Sequence, residues 1–513
     1  MQKMPQTKMN KLISNLSGGM NIKANPIILQ DSELELIINY SLNKTGSLEK
    51  RKGYDVFASQ PEDDKRVVGL FQYTNVSTPA ETTQVMAAND SADTNCDIYY
   101  NNGGTWTTSK TNDTAQPGTG GEDATNFTRV RFITFLDYLF RVNGVDAMAS
   151  SVNVNGSVWA TTNCLTTIIP AFASVFQDRI YVANDKRAGA NMHGSRVYFS
   201  SLPAAGGTVT WTAADDWFDV NPDDGDEITA LENNGNRLLI FKNRGLYRWD
   251  WEMVEPDRLI GVGTSSQESV KTNLDLGITF FASQNGRGIY AYTGRRPVLI
   301  SRKIQPILDA VPAADWKNMA AEIDEDHYYV YLSDSITVPG LGDKGEDKTI
   351  TNVMAVYTIS LDAWVLYSLH SRWKFAAKLI LSGAEEIYFG SHEGRTYKFN
   401  SGLEDDSGGV AENEAVRINT EAISKEYLLT YPNKTNLKYA DFISKNALAT
   451  LVLYQMDRGG DFGPLVSLEK RFASSRLIGK ECRSIRLKFS DSGSVQSRID
   501  GYNFEHSPLE KRK

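Results

Sequence analysis

The stretch NGNRLLIFKNRGLYRWD, Asn234 to Asp250, decides the fold. An apolar run, Leu238 to Phe241, meets a polar bend with one glycine, Lys242 to Gly245, and returns as Leu246 to Trp249. β-Branched and aromatic residues suit the pleated, half-buried surface of a strand. Two such runs around a short glycine-bearing connection are a hairpin signal.

The hairpin has relatives along the chain. CDIYYNNGGTW begins at Cys96 and DYLFRVNGVDAM at Asp137; DRIYVAND at Asp178 is followed by SRVYFSS at Ser195. ITFFASQNGRGIYAYTG begins at Ile278, HYYVYLSD at His327 is followed by VMAVYTISLDAWVLY at Val353, and EEIYFGSHEGRTYKFN begins at Glu385. With the first stretch these make seven units, spaced by roughly 40 to 60 residues, which is the period of propeller blades. Further apolar strands precede some of them, such as EITAL at Glu227 and FAAKLIL at Phe375. A sheet of two to four strands cannot bury its faces alone and leaves its edges unpaired, whereas radial stacking covers both. The expectation is an all-β fold: a β-propeller over residues 59–405, with six to eight blades and seven matching the hairpin count. An irregular array of β-sandwiches is the alternative.

SGLEDDSGGVAENE, Ser401 to Glu414, reads as a boundary. After it, AVRINTEAI, LKYADFIS, ATLVLYQMD, SIRLKFSD and SRIDGYNFEH alternate in strand fashion, which predicts a C-terminal β-sandwich over residues 411–513. Residues 1–58 read as an N-terminal extension. DSELELIINYSL offers Asp31 or Ser32 as a helix N-cap with Glu33 and Glu35 in the first turn, predicting a short helix over residues 31 to 42. No repeat begins before about residue 60. The extension is therefore expected to act between subunits, outside a propeller that closes without it.

The chain has 513 residues, 41% of them apolar and 23% charged, with 23 Tyr, 21 Phe and 40 Gly. That mixture favours many short strands. A formal charge of −9 argues against nucleic-acid binding as the main task. Cys96, Cys164 and Cys482 are scattered, so neither a disulfide framework nor a zinc site follows. The first residues lack the apolar core of a secretory signal, and no run of about eighteen apolar residues occurs. The reading is a soluble protein made in a cytoplasm, without stable membrane insertion.

Chemistry is sparse. His193, His327, His370, His392 and His506 are dispersed, with no pair at metal-ligand spacing. No GxSxG elbow, Walker loop or dinucleotide fingerprint occurs. YYNNGGTW, Tyr99 to Trp106, resembles the Asp-box turn of sialidase-like propellers in Gly103, Thr105 and Trp106, with Asn101 in place of the Asp; that motif is a folding turn. In DVNPDDGDE, Asp223, Asp224 and Asp226 are weak candidates for Ca²⁺, against the reading of a solvated acidic loop. No catalytic residue, metal or cofactor is assigned, and the chain is read as a non-enzyme.

GGMNIKANPIILQDSELELIINYSLNKTGSLEKRKGY, Gly18 to Tyr54, resembles the opening of a group of bacteriophage tail and virion propeller proteins. The matching residues are Gly18, Gly19, Asn21, Pro26, Asp31, Glu33, Asn39, Gly46, Leu48, Arg51 and Gly53. DWFDVNPDDGDEITALENNGNRLLIFKNRGLYRW, Asp216 to Trp249, is similar to their acidic loop, strand and hairpin. The likeness runs over most of the chain as short motifs and is loose in the C-terminal domain. It implies a structural virion protein of the nozzle, hub or head-proximal ring type, at or around the DNA-ejection conduit. The implied partners are a portal-side adaptor, an adjacent tail ring and fibres, with a homo-oligomeric ring, a hexamer favoured, and DNA passing without specific binding. The implied location is the virion tail, assembled in the host cytoplasm, and the eleven residues would form an assembly segment. The alternatives are a glycan-binding or depolymerising propeller, which needs aromatic platforms and paired carboxylates, and a WD-type scaffold.

Overall fold

The structure, a computed structural model, describes residues 9–508 except 59, 62–64, 77–80, 91–93, 116–127, 188–192, 205–206, 343–345, 382, 407–414, 430–434, 446–448, 456–461 and 469–475. Six blades are each built from four consecutive strands paired antiparallel. Their first strands are Val67–Asn75, Arg131–Phe135, Pro170–Phe176, Ile228–Asn233, Lys271–Asn273 and Ala320–Ile323. A seventh blade has three consecutive strands, Trp373–Leu381, Ala384–Ser391 and Thr396–Phe399, and takes its outer strand, Tyr54–Ala58, from far upstream. The first strands touch one another in sequence and Trp373–Leu381 touches Val67–Asn75, so the ring is closed. Each of the seven hairpins legible in the sequence lies in a different blade.

Blade 4 shows why the local sequence folds as it does. Leu238–Lys242 and Gly245–Trp249 pair in register from Leu238 opposite Trp249 to Lys242 opposite Gly245. Alternate side chains face opposite neighbours: Leu238, Ile240 and Tyr247 pack toward blade 3, while Leu239, Phe241 and Leu246 pack toward blade 5. Phe241 is fully buried, edge-on to Phe281 with ring centres 5.1 Å apart. An apolar cluster of this kind lies between neighbouring blades around the ring.

The C-terminal region forms two packed sheets. One runs through Thr420–Ser424, Ser484–Asp491, Ala449–Gln455 and Phe462–Leu468; the other includes Arg498–Pro508, Thr435–Lys445 and Arg476–Cys482. Phe489 of the first and Tyr502 of the second meet with ring centres 5.5 Å apart. Among the described residues no helix is long and apolar enough to cross a membrane.

Two expectations about the N-terminus are corrected. Residues 31 to 42 hold no helix: Glu33–Ile38 is a strand, Asn39 turns the chain at φ 59°, and Tyr40–Leu42 is a second strand. Leu34, Leu36, Ile37 and Ile38 are all buried, so the apolar residues cover both faces rather than one helical stripe. Tertiary pairing with Thr420–Ser424 overrides the helix-start signal. Nor does the extension lie outside the fold. Met9–Ile13, Tyr40–Leu42 and Leu48–Lys50 complete one sandwich sheet, and Glu33–Ile38 joins the other to the outer strand of blade 6 through Ile38 and Leu366. With Tyr54–Ala58 in blade 7, the described part of the expected 1–58 extension, from Met9 onward, is not a separate domain.

Candidate functional site

Several of the eleven residues singled out by resemblance gather where the N-terminal segment meets blades 6 and 7 and the sandwich. At the centre is Arg51, whose side chain is 1% exposed. Its terminal nitrogens donate to Asp405 Oδ1 and Oδ2 at 2.7 and 2.6 Å, and Nε donates to Asn39 Oδ1 at 2.9 Å. Further donations reach the carbonyls of Lys52 and Ser368. A fork of donors matched this fully in a buried site is the geometry in which an arginine ion pair holds two segments in one register. Burial works against the charged guanidinium, but Asp405 outweighs it and raises the Arg51 pKa above its ordinary value.

Asn39 is the second fastening. Its left-handed backbone is one that Asn tolerates better than most residues, and its Nδ2 donates to the carbonyl of Asn419 at 2.7 Å. Its Oδ1 also accepts from the Ser368 amide at 2.9 Å. Glycines allow close approach here: a Cβ on Gly53 would lie 1.7 Å from the Glu404 carbonyl oxygen. Gly19, at φ +67°, passes so near Ala363 that a Cβ would sit 2.8 Å from that methyl. Asn21 donates to the Glu33 carboxylate, which Lys303 also meets at 3.3 Å. The rest are peripheral to this clasp. Asp31 pairs with Lys11 and Lys425, the Pro26 carbonyl accepts from the Glu426 amide, Leu48 is buried opposite Ile499, and Gly46 makes a turn at φ +84°.

The acidic loop has a partner already. Lys242, from the hairpin of blade 4, is fully buried and donates to Asp224 Oδ1 at 2.8 Å, to Ser195 Oγ and to the carbonyls of Asn221 and Asp226. Asp226 accepts from Asn243 Nδ2 and the Arg244 amide, and Asp223 is exposed. The lysine ammonium stands where a cation would neutralise the loop. The histidines also stay apart; His327 faces Asp324 at 3.1 Å, and His392 accepts from Arg66 at 3.0 Å. Trp106, of the Asp-box-like turn, donates to Thr396 Oγ1 at 3.2 Å and so ties blade 1 to blade 7.

A third arrangement escaped the sequence reading: a cavity of about 520 Å³ on the propeller axis, lined by the first strands of all seven blades. Arg129 and Arg131 of blade 2 both pair with Glu268, the latter at 2.9 Å. Burial alone would raise the Glu268 pKa, but the two guanidinium groups outweigh it and bring it to about 2. Lys271 of blade 5 meets Glu322 of blade 6 at 2.8 Å. Glu232 of blade 4 is pushed up to about 7 by burial; the Thr272 hydroxyl and Lys271 pull it down, and the Glu322 charge adds to the rise. Its signal in sequence was an ionisable residue in the first strand of several blades, Arg131, Glu232, Lys271, Glu322 and Lys378.

No family model matches the chain, and no curated protein matches it. Three solved structures are similar in outline. The extracellular domain of a hybrid two-component system from B. thetaiotaomicron covers 82% of this chain at 9% identity and TM-score 0.39, and the match spans 46% of that protein. BamB from Moraxella catarrhalis covers 70% of this chain and 90% of its own at 10% identity and TM-score 0.38. The WD40 domain of Neurospora crassa Pan2 covers 70% and 96% at 8% identity and TM-score 0.37. The propeller assignment rests on the strand pairing itself.

Proposed function

We propose that this chain is a structural component of a bacteriophage virion, forming a homo-oligomeric ring at the DNA-ejection conduit and docking neighbouring tail proteins. The observation that carries the reading is the sequence likeness of Gly18–Tyr54 and Asp216–Trp249 to virion propeller proteins. The geometry supports it in one respect: the residues of the first stretch weld propeller and sandwich into one body, as a building block under mechanical stress requires. Arg51, Asn39 and Gly53 are internal fastenings, so contact with neighbours falls to other surfaces.

One such surface has the right character. In blades 1 to 6 the connections between first and second strands and between third and fourth strands emerge on the same face of the propeller. Val76, Leu274 and Leu276 lie at the first kind of connection, and Trp251 and Val254 at the second. All five are exposed, Val254 by 96%. Scattered apolar tips on one rigid face suit a protein neighbour. The axial cavity has the dimensions of a small-ligand site, so in this reading DNA passes through the ring of subunits and not through a propeller.

The test is immunogold electron microscopy of particles from the source culture, with antibodies to the purified chain. Gold confined to the tail supports the proposal. Particles that carry none, with the protein found only unassembled, overturn it.

A further inference from the structure

The axial cavity is uneven in chemistry. Toward blades 7, 1 and 3 it presents Phe375, Phe71 and Val175, with Lys378 and Gln72 beside them; toward blades 4, 5 and 6 it presents Glu232, Lys271 and Glu322. Its volume, about 520 Å³, is within the range of small-molecule sites.

The charged groups are not equally occupied. Arg129 donates to Glu268, to Ser266 Oγ and to the Asn318 carbonyl. Arg131 donates to Glu268 and to the Ala171 carbonyl and lies over the Phe172 ring, 4.6 Å from its centre. Lys271 is matched by Glu322, and Lys378 has Glu385 at 3.6 Å. Each of these cations faces a carboxylate, and the two arginines also donate to backbone carbonyls. Glu232 feels the Lys271 charge but forms no ion pair of its own among the described residues.

We infer that the axial cavity binds a small amphiphilic cation, an ammonium head on an apolar body, with Glu232 as counter-ion and the body against Phe71 and Phe375. A carboxylate or phosphate would find every cation of the wall already facing a glutamate. A hard divalent ion would need six or more oxygens where Lys271 already stands between the two glutamates. An ammonium needs one ionised carboxylate and a few acceptors, and the apolar wall rewards a body attached to it.

Binding should follow the ionisation of Glu232. The groups around it are Lys271 and Thr272 of blade 5, Glu322 of blade 6, and Glu268 with Arg129 and Arg131 farther along the wall; the blade 3 strand Pro170–Phe176 carries no titratable side chain. With Glu232 titrating at about 7, roughly a tenth is ionised at pH 6 and nine tenths at pH 8, so affinity should rise about tenfold over that interval.

Isothermal titration calorimetry of the full chain with 2-phenylethylamine, and with 2-phenylethanol as its neutral counterpart, tests this. The amine is expected to bind at least tenfold tighter than the alcohol at pH 8 and to lose most of that advantage at pH 6. Glu232→Gln should abolish the difference while the melting temperature is retained. Equal binding of amine and alcohol, a pH-independent affinity, an unaffected Glu232→Gln protein, or no binding at millimolar amine overturns the inference. Should Glu232→Gln fail to fold, the pH comparison on the unaltered chain decides.

Discussion

Blade 4 and blade 7 reach the same four-stranded form by opposite routes. Blade 4 runs without interruption from Ile228 to Ile260, and its central hairpin turns within a few residues. Blade 7 pairs Phe399 with Tyr54 across most of the chain. Their polar fastenings differ in the same way. Lys242 steadies a loop of its own blade and the adjoining one, whereas Arg51 and Asn39 join the N-terminal segment to Ser368, Asp405 and Asn419. A local blade is specified by its turns; a composite blade needs buried, directional contacts to choose the right partner among many equivalent strand edges.

That contrast can be broken experimentally. The largest effect should come from deleting residues 1–58, which removes the closing strand together with strands of both sandwich sheets. The truncated chain is expected to be unfolded or insoluble, and a soluble, β-rich, cooperatively melting product would break the comparison. Next, Arg51→Met leaves Asp405 and Asn39 buried without their partner and should cost about 3–5 kcal/mol in denaturant unfolding. A loss no larger than that of an exposed arginine would mean that strand pairing alone closes the ring. In blade 4, Phe241→Ser removes a fully buried ring and leaves a hydroxyl in its place, for a loss of about 3 kcal/mol; an unchanged melting temperature would contradict its burial.

A smaller effect is expected with pH. Burial, then the charges of Arg66, Lys374 and Arg372, bring the folded pKa of His392 down to about 3, against about 6.5 in an unfolded chain. Between these values the unfolded state holds more protons. Stability present above pH 6.5 should therefore be lost as the pH falls toward 3. His392→Gln should lessen the drop in melting temperature between pH 7 and pH 5, and an identical drop in both proteins would remove His392 from the account. Smallest of all, Asp223→Asn should leave the melting temperature unchanged, since Asp223 is exposed and the Lys242 contacts go to Asp224 and the Asp226 carbonyl.

How much of this was legible follows from range. Leu238 to Trp249 declares itself because its pattern, bend and partner lie within a dozen residues. Glu33–Ile38 misleads because Asp31 and Ser32 mimic a helix start, while the deciding partners are Thr420–Ser424 and Leu366. Arg51 and Gly53 drew notice only through resemblance, and nothing near them in sequence announces Asp405 or Glu404. The axial cavity was hidden for the same reason. Glu232, Lys271 and Glu322 each look like an ordinary strand charge until a ring of blades brings them together.

The composite blade also sets an order of events. Tyr54–Ala58 emerges from the ribosome early, but its partner Thr396–Phe399 appears only after most of the chain has been made. At roughly 5–20 residues per second the wait is on the order of half a minute. For most of that interval the buried run Leu34 to Ile38 lacks Leu366, and throughout it lacks Thr420–Ser424. The nascent chain thus carries a sticky leading segment until its last blade arrives, and it should lean on a chaperone during synthesis far more than the finished protein does.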